Sequence, residues 1–252
     1  MTSNAARLAD AINGGGQIEA LANPPQTVAE AYDLQDEVRA ALGRPIVGWK
    51  LAHTTEKVQA AFGLDAPSVS PILDGMIVPA ETVFPIGRFY APELEAEVAL
   101  ELSGAIEGPL AKDELIARIG HMRLAIEVAD TRLTDKAAVG MPSFIADLAG
   151  CGALVIGPRL DLANLQDAAT GHVELRLGDG SIVPALATDM RPKPLDVLAF
   201  LARFATERGH VLPAGTIITT GTNTAPTLSG PGLFGVRFGE VGRVTARLSG
   251  PA

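Results

Sequence analysis

After Gly63 the chain breaks into short apolar runs punctuated by proline and glycine: "GMIVPAETVF", "LEAEVALEL", "LAIEVAD", "GALVIGP", "HVELRLGDGSIV", "GTIITTG" and "GLFGVRFGEVGRVTARL". Runs of this length, bounded by turn formers, read as strands. "GDG" at 178–180 lies between two of them as a hairpin turn does. Two segments interrupt with a helical period, "AKDELIARIGHM" and "KPLDVLAFLARFATERG". The second places Leu195, Leu198, Ala199, Ala202 and Ala205 on one side and stops at Gly209. Strand and helix do not alternate, so a doubly wound parallel sheet is disfavoured. An α+β fold with a large, mostly antiparallel or mixed sheet system is expected.

The preceding part reads differently. Residues 3 to about 13 form a helical segment stopped by "GGG" at 14–16. "NPPQTVAEAYDLQDEVRAALG" is a second helix, with Thr27 and Glu30 at capping-box spacing and Gly43 as its stop. "IVGWKLA" has strand character, and "TEKVQAAFG" is a short helix ending at Gly63. The expected organisation is a helical region over 1–75 packed on a strand-rich core over 76–252, together one unit.

Composition narrows the function. The 252 residues are 47% hydrophobic and 19% charged, which suits a packed globular chain. A net charge of -9 repels phosphate backbones and anionic lipid, so neither nucleic acid nor a membrane surface is an expected partner. Cys151 is the single cysteine, which excludes an intrachain disulfide and a zinc site of several thiolates; beside Gly150 and Gly152 it reads as a small buried residue. "MTSNAARLADAING" has no basic segment followed by an apolar one, and no apolar run is long enough for a bilayer, so the expected location is the cytoplasm.

Chemistry enters through "PELEAEVALEL", residues 92–102. Glu93, Glu95, Glu97 and Glu101 share one parity, and Leu94, Ala96, Val98, Leu100 and Leu102 share the other. Taken alone, this is the wet face of a half-exposed strand. A second stretch, "LAIEVAD", places Glu127 in an otherwise apolar run, with Ala125 and Ala129 on its own face. A carboxylate buried there needs a partner. Arg123 and Arg132 are one source; a hard cation shared with an i, i+2 glutamate pair is another.

Several segments together resemble a known family. "VGWKLAHTTEKVQAAFG" resembles its Gly-x-Lys turn and short helix, "ELEAEVALEL" its Glu-x-Glu strand, and "AIEVADTR" its Ile-Glu-hydrophobic-x-Asp-x-Arg strand. "GHVLPAGTIITTGTNTAPTLSGPG" resembles its late Gly-(Ser/Thr)-x-Thr turn. The family is that of 2-oxopent-4-enoate hydratase and 4-oxalocrotonate decarboxylase, within the fumarylacetoacetate hydrolase superfamily. The likeness runs from about Thr27 to about Leu248. It implies a helical N-terminal region on a mixed β-sandwich or roll. It also implies a Mg²⁺ or Mn²⁺ site made by Glu95, Glu97 and Glu127, with Lys50 reaching into the site and Thr222 set against the substrate carboxylate.

The implied activity is that of a lyase of hydratase type on a small unsaturated 2-oxo acid from aromatic ring breakdown. The cation would stabilise negative charge on the 2-oxo oxygen. Decarboxylation or tautomerisation on the same scaffold, acylpyruvate-type C–C hydrolysis, and a catalytically silent partner subunit are the alternatives. A homo-oligomer and association with a related family member are also implied.

The pattern departs from the hydratases in two places. Their "Pro-Asp-aromatic-Gly" turn is "APSVSPIL" here, with Ser68 for the acid and Ser70 for the glycine. Their "Ala-Asp-Asn-x-Ser" is "IADLAGCG", with Leu148 and Gly150 for the Asn and Ser. Positioned acids and bases contribute ~10² to 10⁴ in rate, so the water-handling half of the site is altered. Ser68 remains a candidate substrate contact, and His53 is the candidate acid or base. His121 is expected at a helix end in a structural role.

Overall fold

The computed structural model describes residues 2–135 and 138–250. Its elements, in chain order, begin with α1 (Asn4–Ile12), α2 (Val28–Leu42), β1 (Ile46–Ala52), α3 (Glu56–Phe62), β2 (Ser68–Leu73), β3 (Ile77–Pro79) and β4 (Val83–Pro85). They continue with β5 (Glu93–Leu102), α4 (Lys112–Arg118), β6 (Ile119–Ala129), α5 (Gly140–Ala146), β7 (Cys151–Ile156), α6 (Leu165–Thr170), β8 (Val173–Arg176) and β9 (Ile182–Pro184). The last are α7 (Pro194–Glu207), β10 (Ile217–Thr222), β11 (Thr227–Leu228), β12 (Gly232–Phe238) and β13 (Gly242–Ser249).

The strands form two sheets in a mixed α/β fold. The larger runs β2-β1-β10-β5-β6-β7-β3, with β11 added on β5; the smaller runs β4-β13-β12-β8-β9. β1 lies parallel to β10, and β3 parallel to β7, while β10, β5, β6 and β7 are antiparallel neighbours. β1 and β2 therefore extend the large sheet rather than standing apart from it.

Local chemistry explains several helix ends. Thr27 Oγ1 accepts from Glu30 N and Glu30 accepts from Gln26 N, while Gly43 closes α2 in the left-handed region at φ 62°. Gly63 ends α3 in the same way. Two elements differ from expectation. "GMIVPAETVF" is not one strand: β3 joins the large sheet and β4 the small one, split at Glu81, whose N donates to Thr245 O. His121 lies inside β6 opposite Glu101, not at a helix end; pairing along β5 extends the strand back to Ile119 and overrides the helical period of "ARIGHM".

Both faces of β5 and β6 are covered. Leu94, Ala96, Val98, Leu100, Leu124, Ile126 and Val128 share one apolar cluster with Phe234, Val236, Phe238, Val244 and Ala246 of the small sheet. Ala99 and Ala125, of the opposite parity, belong to a second cluster with Leu8, Val38, Leu133 and Leu154. The acidic parity of β5 is thus not a wet face: Glu97 is 1% exposed. Among the described residues, no helix is long and apolar enough to cross a membrane.

Candidate metal centre

Register does the first part of the assembly. Glu95 on β5 stands directly opposite Glu127 on β6, and Glu97 is the next residue on that face of β5. One oxygen from each of Glu95, Glu97 and Glu127 lies within 4.8 Å of the others, and Glu97 and Glu127 are buried. On the other side of β5, the β10 ladder shifts between Thr219 and Thr222. The shift contains Gly221 at φ 101°, whose N donates to Glu97 Oε2 at 3.1 Å. A Cβ on Gly221 would sit 2.5 Å from Thr54 Oγ1.

Lys50 comes from β1, which is separated from β5 by β10. It is 3% exposed, forms an ion pair with Glu127 and donates to Ala149 O at 2.8 Å. That carbonyl is presented by a turn in which Leu148, Ala149 and Gly150 are all left-handed, at φ 50°, 46° and 71°. Such a conformation costs a non-glycine residue on the order of 1–3 kcal/mol and persists only where the surroundings enforce it. Leu148 and Ala149 are fully buried, and Asp147 before them is locked to Arg132, which also donates to Cys151 O. Arg132 supports this turn and stays out of the cavity beside the carboxylates.

Burial and mutual repulsion set the electrostatics of the cluster. Burial alone would push the Lys50 ammonium down, but Glu127 and Glu95 outweigh it and hold it above the ordinary lysine range, so it stays charged. Burial raises Glu97 well above its usual value, and Glu127 and Glu95 add to the shift. Oxygens of three carboxylates converge beside one ammonium, and two of the three residues are buried. Among the described residues, Glu97 Oε1 and Glu127 Oε2 are buried without a hydrogen-bond partner. Converging carboxylate oxygens, two of them orphaned, fit a hard divalent cation. Cys151, on β7 nearby, is inert: burial pushes its thiol up to about 12.

A cavity of about 610 Å³ opens on this cluster, with Lys50, Glu95, His53 and Thr222 in its wall. His53 Nδ1 and Ser68 Oγ are 2.8 Å apart, and the imidazole meets Phe62 and Phe144 edge-on at 4.8 and 6.2 Å. Ser68 is buried behind His53 and is not part of the cavity wall. Thr222 reaches the wall, but its hydroxyl donates to Thr224 O at 2.7 Å. Ala149 O and Gly221 N were not foreseen as site groups. A backbone carbonyl carries no sequence signal, whereas Gly221 stood within a turn already of interest.

The model of the fumarylacetoacetate hydrolase C-terminal family matches residues 18–249. The chain belongs to that family. Among curated family members it is 33% identical to a 4-oxalocrotonate decarboxylase of Pseudomonas putida over 236 residues, 89% of this chain and 86% of that protein. It is 27% identical to a 2-keto-4-pentenoate hydratase of Paraburkholderia xenovorans strain LB400, covering 88% of this chain and 84% of that one. Among solved structures, the 4-oxalocrotonate decarboxylase from Pseudomonas putida G7, complexed with magnesium and adipate, superposes with a TM-score of 0.84 at 30% identity and covers 97% of both chains. The chain thus sits in the fumarylacetoacetate hydrolase family among lyase-type enzymes, decarboxylases and hydratases.

Proposed function

We propose that this chain is a Mg²⁺-dependent lyase of hydratase type acting on a small unsaturated 2-oxo acid. The observation that supports this most is the convergence of Glu95, Glu97 and Glu127 oxygens within 4.8 Å, with a buried oxygen on Glu97 and on Glu127 that has no hydrogen-bond partner among the described residues. These three residues would hold the cation. When bound, it supplies Lewis acidity toward the carboxylate and 2-oxo oxygens of such an acid.

The protein's own groups do the rest. Lys50, anchored by Glu127 and Ala149 O, places an ammonium where negative charge grows on the 2-oxo oxygen. His53 moves the proton, and Ser68 engages Nδ1 and orients the ring. Ser68 acts through His53. Thr222 shapes the wall where the substrate head would lie, with its hydroxyl held by Thr224, to whose O it donates and from whose N it accepts.

Decarboxylation is a second reading, favoured by Leu148 and Gly150 at the positions where hydratases carry Asn and Ser. Loss of CO₂ needs the electron sink and no activated water. Incubation of the protein and Mg²⁺ with a panel of 2-oxo-4-enoates, followed by NMR, separates the outcomes. Hydration supports the first reading and CO₂ release the second. Glu127→Gln and Lys50→Ala should each abolish turnover while leaving a cooperative melt. Turnover retained in both would remove the enzymatic reading.

A further inference from the structure

The walls of the cavity away from the carboxylates carry information about the substrate that the reaction class does not. Val58 and Phe62 of α3, Met141 and Phe144 of α5, and Leu186 and Met190 of the segment before α7 line it. Among its described lining residues, the only side chains able to carry positive charge are Lys50 and His53. Lys50, anchored by Glu127 and Ala149 O, is committed to the head of the substrate in the reading above. His53 is turned toward Ser68 at Nδ1 and walled by two phenylalanines. Glu93 and Glu95 line the same space, which makes it still less hospitable to an added anion. Lys57, the nearest other cation on α3, is paired with Asp189 at the rim.

The helix α3 adds an independent observation. None of its residues is buried, and Phe62 is 51% exposed, although Val58 and Phe62 both face the cavity. Phe62 meets His53 with one edge and leaves about half of its surface open, and such a partly covered apolar face at a cavity mouth is a surface for an apolar ligand to complete.

Resting on the reading above, we infer that the substrate is a 2-oxo acid with a single carboxylate and an uncharged, apolar tail of up to phenyl size. A tail carboxylate would enter an apolar pocket without a free cation, at a desolvation cost that nothing repays. The adipate of the structurally similar decarboxylase is, by contrast, a dicarboxylate.

The test measures binding calorimetrically with Mg²⁺ for three ligands. Oxalate reads the head site alone. 2-Oxoadipate and 2-oxo-6-methylheptanoate share a head, and an isopropyl group in the second replaces the distal carboxylate of the first. The methylheptanoate should bind at least about tenfold more tightly. Phe62→Arg, at an exposed rim position that cannot disturb the core, should reverse the order; Met190→Arg provides the same cation from the opposite wall. Oxalate bound with 2-oxoadipate equal to or tighter than its apolar counterpart overturns the inference and leaves the metal-site reading standing. No oxalate binding with Mg²⁺ removes the reading underneath, and the inference with it.

Discussion

Glu97 carries the conflict at the centre of the site. Its carboxylate is buried against two others and accepts one backbone N–H from Gly221. A group whose folded pKa is raised opposes folding when charged, so its ionisation weakens the metal-free protein as pH rises. Glu97→Gln should therefore melt at or above the parent without metal, by up to a few degrees, while losing the stabilisation that Mg²⁺ gives the parent. Thermal melts with EDTA and with Mg²⁺ read both effects. A variant that melts lower in EDTA and still responds to Mg²⁺ would show that Glu97 is a structural acid. The contrast with Glu101, four residues along the same face, is instructive: there Arg159 and Arg123 supply the positive charge within the chain itself.

At the scale of elements, the site depends on irregularities in otherwise regular strands. The shift in β10 turns Gly221 N toward Glu97, and its φ of 101° leaves no room for a side chain beside Thr54. Gly221→Ala should cost about 1–3 kcal/mol in urea unfolding and weaken Mg²⁺ binding together, because the strain and the ligand contact share one residue. Unchanged stability would mean that the bulge relaxes freely. The regular parts of these elements were legible beforehand. Thr27, Gly43 and Gly63 marked helix ends through local hydrogen bonding and backbone freedom, which act within a few residues. The split of "GMIVPAETVF" between two sheets and the strand pairing of His121 were not legible, since each is imposed by a partner more than fifteen residues away.

For the whole molecule, acid sensitivity should track the cluster that ties β5, β6 and the segment after β7. Hydrogen bonds from Arg159 and Arg123 hold Glu101 below its ordinary value of 4.5. A lowered folded pKa contributes stability that is present above the unfolded value and is lost as pH falls through the folded one. Glu101→Gln should thus be less stable than the parent at pH 7, and the gap should close below about pH 4. Denaturant midpoints at pH 7 and pH 3 check this; a constant gap would assign the loss to packing instead. The sequence by itself determined the strand-rich, mixed α/β character, several helix ends and the acidic and basic candidates, because periodicity, caps and residue chemistry are local. Only the tertiary structure decided that the acidic parity of β5 is enclosed and that Glu127 stands opposite Glu95. It also decided that Lys50 reaches them from β1 and that the far wall of the cavity is apolar. Those outcomes depend on which strands pair and what covers them, and the free energy of that choice is spread over contacts between residues far apart in the chain.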